Sequence, residues 1–327
     1  MKLGERARLI LLLAGIGAVV YLVHGIGPAV VWHTVRDLSW RLLVLLVFPT
    51  SAAMLVDTLG WRFAFARPPR PFGRLFAVRL AGEAVNQITP TASVGGDLVR
   101  AMLLRPAVPL REAIASVVAD KTTSVVSQAV LLLAGLLAAA VRPGSASMLA
   151  VMAGAFAVEA LCVAGFVAAQ LRGVIGGSGR ILSRLGMALS VERQVALDGT
   201  DRVIRSLYTR HARRLLASLL CHCAGGALGT LEIYLFVQFL GEDVSLATAF
   251  AIGAFGTAVK FFTFMVPASI GALEGGNVAI FAAFGLGPAI GLSYTLVRRL
   301  REIIWIIAGL AASAAISSRP IPPADRG

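Results

Sequence analysis

Charge is what this sequence has least of. Only 14% of its 327 residues are Asp, Glu, Lys or Arg, whereas soluble globular chains carry about 25%. With 57% hydrophobic residues and a mean hydropathy of +0.83, that shortage excludes a soluble fold and makes the chain an integral membrane protein. Several apolar runs exceed the roughly 18 residues that cross a bilayer, so the spans are helices and not barrel strands. Acidic residues are the scarcer sign, 17 against 30 basic. The net charge of +13 does not indicate nucleic acid, because the basic residues sit in the connections between apolar runs, which is the positive-inside pattern and draws anionic lipid headgroups to that face. Cysteine is sparse: Cys162, Cys221 and Cys223 all lie in apolar segments, which excludes a disulfide framework and a zinc site. Four scattered histidines, His24, His33, His211 and His222, provide no metal cluster, and no Gly-x-x-x-x-Gly-Lys-Ser/Thr loop is present for ATP. No cofactor is expected.

What is there is an all-α, polytopic bundle in a single transmembrane domain, 1–327. Basic residues before the first apolar run, about Ala7 to Val23, place the N-terminus in the cytoplasm; that run lacks a small-x-small cleavage site and is read as a span. His24 to Trp40 reads as an external connection, and Arg41 to Phe63 as the second span. Arg62, Arg67, Arg70, Arg74 and Arg79 read as a cytoplasmic loop. Further spans are expected over Arg111 to Val141, Ser147 to Leu171, Leu215 to Leu240 and Ala289 to Ser317. The Arg-rich segment 172–214 reads as cytoplasmic, with an amphipathic helix over about Ile181 to Tyr208 lying along the inner leaflet. The tail, 318–327, is proline-rich, and disorder is expected there, in the cytoplasm.

Two apolar segments are interrupted by polar and helix-breaking residues. In Leu75 to Arg105 the breakers are Pro90, Gly95 and Gly96, accompanied by Glu83, Asn86, Asp97 and Arg100; in Leu246 to Phe284 they are Pro267 and Gly271, accompanied by Lys260, Glu274 and Asn277. Counted from each proline, an acid stands at the seventh following position (Asp97, Glu274) and a polar residue at the tenth (Arg100, Asn277). The offset of 177 also carries Lys121 onto Arg298. This is the signature of a diverged duplication, with repeat 1 at about 1–143 and repeat 2 at about 146–317. Halves of roughly ten to fifteen residues do not cross a hydrocarbon core, so each interrupted segment is expected to be a re-entrant helical hairpin facing protein or water. Three crossings per half give an inverted repeat, the architecture of secondary transporters.

Charged groups at membrane depth need partners or water and mark substrate paths. Arg100, Lys121, Lys260, Arg298 and Arg301 suit a phosphate headgroup. Glu83, Asn86, Asp97, Glu274 and Asn277 complete the candidate site. The bland alternative is ion pairs that only fix the packing; Asp57 and Glu159 are weaker candidates, Glu159 as readily structural as functional, and His222 reads as an ordinary core histidine. The leading reading is a transporter moving a polar-headed lipid, phospholipid or hopanoid, between leaflets. Two rivals are an enzyme acting on a lipid phosphate with Asp97 and Glu274 as acid and base, and a non-catalytic scaffold for lipid-biosynthesis enzymes.

The stretch Asn86-Gln-Ile-Thr-Pro-Thr-Ala-Ser-Val-Gly-Gly-Asp-Leu-Val-Arg and the later Val266-Pro-Ala-Ser-Ile-Gly-Ala-Leu-Glu-Gly resemble the transmembrane region of the lysylphosphatidylglycerol synthase/flippase family, and within it the hopanoid-associated branch. The resemblance implies lipid movement in a bacterial inner membrane, with both termini cytoplasmic. Members fused to an aminoacyl-transferase domain make the lipid that they flip; a chain of this size leaves no room for that domain and is expected not to perform the transfer. Asp97 stands where many relatives carry Glu, which shortens the reach of the acid.

Overall fold

The computed structural model describes residues 24, 28–37, 39–88, 94–140, 146–173, 176–177, 191–263, 269 and 271–317. The first expected span, Pro90, Pro267, the tail and the segment holding Arg180 and Arg184 lie outside the described residues. Within them the chain is helical: α1 (Pro28–Asp37), α2 (Arg41–Phe63), α3 (Phe72–Ile88), α4 (Val94–Leu104), α5 (Leu110–Ala140), α6 (Ala146–Leu171), α7 (Val191–Arg210), α8 (Ala212–Phe239), α9 (Leu246–Phe262), α10 (Ala272–Ala283) and α11 (Pro288–Ser317).

Four of these, α2, α5, α6 and α8, are long and apolar enough to cross a bilayer. The two interrupted segments each yield a pair of shorter helices, α3 with α4 and α9 with α10. Their lengths of 17, 11, 17 and 12 residues fall short of the about 20 that a span needs. The members of each pair pack on one another. α3 also packs along α11, and α9 along α5. At both crossings a glycine admits the neighbour: a Cβ on Gly309 would collide with the carbonyl oxygen of Leu80, and one on Gly135 with Ala254. Small residues at crossings are how helices associate in lipid, where the hydrophobic effect does not bring them together.

Three boundaries differ from those expected. Arg62 is still in α2, and Arg74 and Arg79 are already in α3, because helix-forming residues flank the Pro68-Pro69 turn on both sides. The connection after residue 24 contains α1, which packs along α11 and leaves Trp32 exposed. The amphipathic helix is observed as Val191–Arg210, with Thr200, Asp201, Ile204 and Leu207 turned into the protein against α5 and α6.

Two apolar cores hold the bundle. One gathers Leu45, Leu132, Phe236, Ile252 and Phe281 around Tyr294, whose ring centroid lies 5.4 Å from that of Phe281 and 5.3 Å from that of Phe236. The other joins Trp61, Leu75, Leu104, Val117 and Leu207. α2 contributes to both, through Leu45 near its start and Trp61 near its end. Between those two anchors it turns Pro49, Thr50 and Asp57 toward a cavity.

Candidate functional site

The cavity has a volume of about 810 Å³ and is walled chiefly by α2, α3, α5, α8, α9 and α11. Of the ten substrate-binding residues expected from the sequence, Glu83, Asn86, Asp97, Arg100, Lys121, Lys260, Asn277, Arg298 and Arg301 line it, and Glu274 does not. Glu274 is 1% exposed. One of its oxygens accepts from the Gly271 backbone N–H at 2.6 Å and the other from Arg299 Nε at 2.8 Å. It therefore caps α10, at a turn where Gly271 takes a φ of +83°, a left-handed conformation that favours glycine. Asp97 and Glu274 do not converge on one space, which removes the geometric support for an acid and base acting together.

Asp120 is the hub of one wall. This 2%-exposed carboxylate on α5 accepts from Arg79 on α3 at 3.3 Å, from Arg100 on α4 and from His222 Nε2 on α8 at 3.0 Å. Arg100 also reaches Asp97 at 3.3 Å, and Asp97 reaches Lys121 at 3.5 Å. The Arg100 guanidinium stacks 3.8 Å from the centroid of the Trp61 ring, a cation–π contact that holds its plane while its edge bonds carboxylates. His222 Nδ1 meets Asp57 on α2 at 2.8 Å, and Arg79 donates to the Asp57 carbonyl oxygen at 3.1 Å. A buried ionised group is costly unless it is both paired and hydrogen-bonded, and Asp120, Arg79, Arg100 and His222 each have such a partner here.

The glycines of the first broken segment have a local task. Gly96 N–H donates to Asn86 Oδ1 at 2.7 Å, so Asn86 ties the start of α4 to the end of α3. A Cβ on Gly96 would strike the Gly82 carbonyl oxygen. Gly96 thus seats α4 against α3 and fixes the direction in which Asp97 and Arg100 leave the helix.

On the opposite wall, successive residues of α11 point in different directions, as a rotation of 100° per residue dictates. Arg298 Nε bonds Glu302 at 3.2 Å, Arg299 turns away to Glu274 and also meets Glu302 at 2.8 Å, and Arg301 pairs with Glu232 on α8. Asn277 donates to Thr295 Oγ1 at 2.8 Å. Lys260 and Glu83 line the cavity with no hydrogen bond or ion pair among the described residues; Trp305 lines it too, with its indole N–H buried and unpartnered. Glu159 on α6 is fully buried with both oxygens unpartnered, and it stands apart from the cavity.

Five charged cavity residues were outside the expected site: Arg79, given to a loop; Asp57, weighed as packing; and Asp120, Glu232 and Glu302. His222, read as a core histidine, is a sixth titratable group there. Their common signal is the one that marked the rest, an ionisable side chain inside an apolar run.

No solved structure matches the chain. It is similar to a UPF0104 membrane protein of Methanothermobacter thermautotrophicus, 23% identical over 323 residues that cover 93% of this chain and 94% of the relative. Residues 8–310 match the family described as Lysylphosphatidylglycerol synthase TM region. Neither match points to a hopanoid-associated branch. This chain, a multi-pass membrane protein, belongs to the lysylphosphatidylglycerol synthase TM region family.

Proposed function

We propose that the protein moves a polar-headed lipid between leaflets, with the headgroup crossing through the charged cavity and the acyl chains remaining in the bilayer. The observation that carries this reading is the lining: Lys260 and Glu83, neither of them in a direct ion pair among the described residues, face a space of about 810 Å³ among otherwise paired charges. An ion-pair framework needed only for packing has no use for a cation and an anion left out of direct pairs, since each costs free energy at membrane depth. A phosphate-bearing headgroup satisfies Lys260, and an ammonium or hydroxyl group satisfies Glu83. The charges favour such a headgroup over an uncharged one.

An inverted repeat with two re-entrant hairpins is part of this proposal. Its support is the packing, in which each helix at the 177-residue offset finds a matching neighbour: α3 on α11 and α9 on α5, α3 with α4 and α9 with α10, α4 with α5 and α10 with α11, and α2 with α8. In this reading the Arg-rich connections face the cytoplasm of a bacterial inner membrane. The test is reconstitution in liposomes carrying headgroup-labelled phosphatidylglycerol, phosphatidylethanolamine or phosphatidylcholine. Leaflet exchange above the protein-free rate for at least one of them is expected. Absence of exchange for all three overturns the proposal.

A further inference from the structure

His222 bridges two carboxylates through its two ring nitrogens, Nδ1 to Asp57 at 2.8 Å and Nε2 to Asp120 at 3.0 Å. Two hydrogen bonds among these three groups require two protons. An ionised carboxylate only accepts, so both protons sit on the ring and the bridge is an imidazolium. With one proton fewer, a bare ring nitrogen faces a carboxylate oxygen and only one of the two bonds survives.

Which bond survives follows from the surroundings. Asp120 is held additionally by Arg79 and Arg100 and is 2% exposed, whereas the Asp57 side chain is 27% exposed at the cavity edge, with Arg79 3.7 Å away. Asp57 is therefore the group that lets go, and it is also the one that water reaches. The charged groups around the ring are Asp57 from α2, Asp120 from α5 and, through those carboxylates, Arg79 from α3 and Arg100 from α4. α7, α9 and α11 also pack on α8, and among the described residues they make no hydrogen bond or ion pair to the ring.

The lining charge gives the bridge a second consequence. Apart from His222, six acidic and six basic side chains among the described residues line the cavity, so with these ionised the proton on His222 decides whether this described wall is neutral or carries one positive charge. A wall with one excess positive charge is neutralised by a headgroup with one negative charge. Dismissing that proton while the headgroup stays would leave an uncompensated charge at membrane depth.

We propose that the Asp57–His222–Asp120 bridge is a proton-binding site that couples headgroup movement to a proton, one proton accompanying each monoanionic lipid. The proton enters from cavity water at Asp57 and passes to His222 Nδ1. It leaves by the same route once the cavity opens to the other side, and its loss frees Asp57 and loosens α2 from α8 at the cavity wall. This rests on the transporter reading above.

The test uses the full chain in liposomes with labelled phosphatidylglycerol, an internal pH dye and an imposed gradient of about one pH unit. Full coupling shifts the leaflet distribution of the labelled lipid by up to about tenfold, with matching proton movement, and His222→Gln abolishes the shift. Phosphatidylglycerol exchange with neither shift nor proton movement overturns the coupling while leaving the transporter standing. Absence of exchange for every lipid overturns both. A readout independent of transport is the ¹⁵N resonance pair of His222, assigned by its loss in His222→Gln. At neutral pH both ring nitrogens are expected to carry a proton, and a ring with one bare nitrogen there overturns the proposal.

Discussion

Lys260 lies 177 positions after Glu83 and lines the same cavity, and neither has a direct partner among the described residues. The same offset joins Lys121 to Arg298 and Arg100 to Asn277, all on the cavity wall. An unpartnered side chain holds nothing together, so Lys260→Gln is expected to leave thermal unfolding in detergent nearly unchanged. It should slow leaflet exchange of an anionic phospholipid about tenfold, the equivalent of about 1.4 kcal/mol. A lowered melting temperature with unchanged exchange would assign Lys260 to packing.

Asp120 is the opposite case. It accepts from Arg79, Arg100 and His222 at 2% exposure, and Asp120→Ala leaves all three buried cations short of a counter-charge. Breaking a buried pair by removing one partner costs about 3–5 kcal/mol. Lys121→Gln, whose side chain is 37% exposed, is expected to cost less than about 1 kcal/mol. Chemical unfolding of the two variants side by side checks the ordering.

How far the site could be read from the sequence follows from these two residues. Lys260 and Glu83 were legible because an ionisable group inside an apolar run next to a helix breaker is a local pattern. Four of the six expected spans were legible in the same local way, and Arg41–Phe63 begins and ends where the apolar run does, whereas the helix over the expected last span, Pro288–Ser317, is not among those apolar enough to cross. Asp57 and His222 were not, because what gives them a task is each other, 165 positions apart. Glu274 shows the converse: its place in a repeated motif was plain, but its use as a cap depends on how α11 is rotated and on which of three neighbouring arginines faces α10.

Gly96→Ala is expected to push α4 off α3, since the new methyl meets the Gly82 carbonyl and Asn86. Overpacking of this kind costs about 1–3 kcal/mol. Gly73→Ala, with nothing within 4 Å of the added carbon, is the neutral control. Thermal unfolding of both variants in detergent reads the difference.

The orientation proposed above places the α2–α3 turn in the cytoplasm and the α8–α9 turn outside. In a chain whose three cysteines are replaced by alanine, Glu242→Cys is expected to react with a membrane-impermeant maleimide in intact cells. Arg67→Cys should react only after permeabilisation. The reverse pattern would invert the topology.

The central claim is that headgroups pass through the cavity. Gly229 on α8 lines that space with nothing within 4 Å of an added carbon, so a side chain can start there unobstructed and Gly229→Trp is expected to fill the passage. The decisive measurement is phospholipid leaflet exchange in liposomes holding equal amounts of folded wild-type protein and this variant. The account predicts that exchange falls to the protein-free rate in the variant, and exchange at the wild-type rate would contradict it.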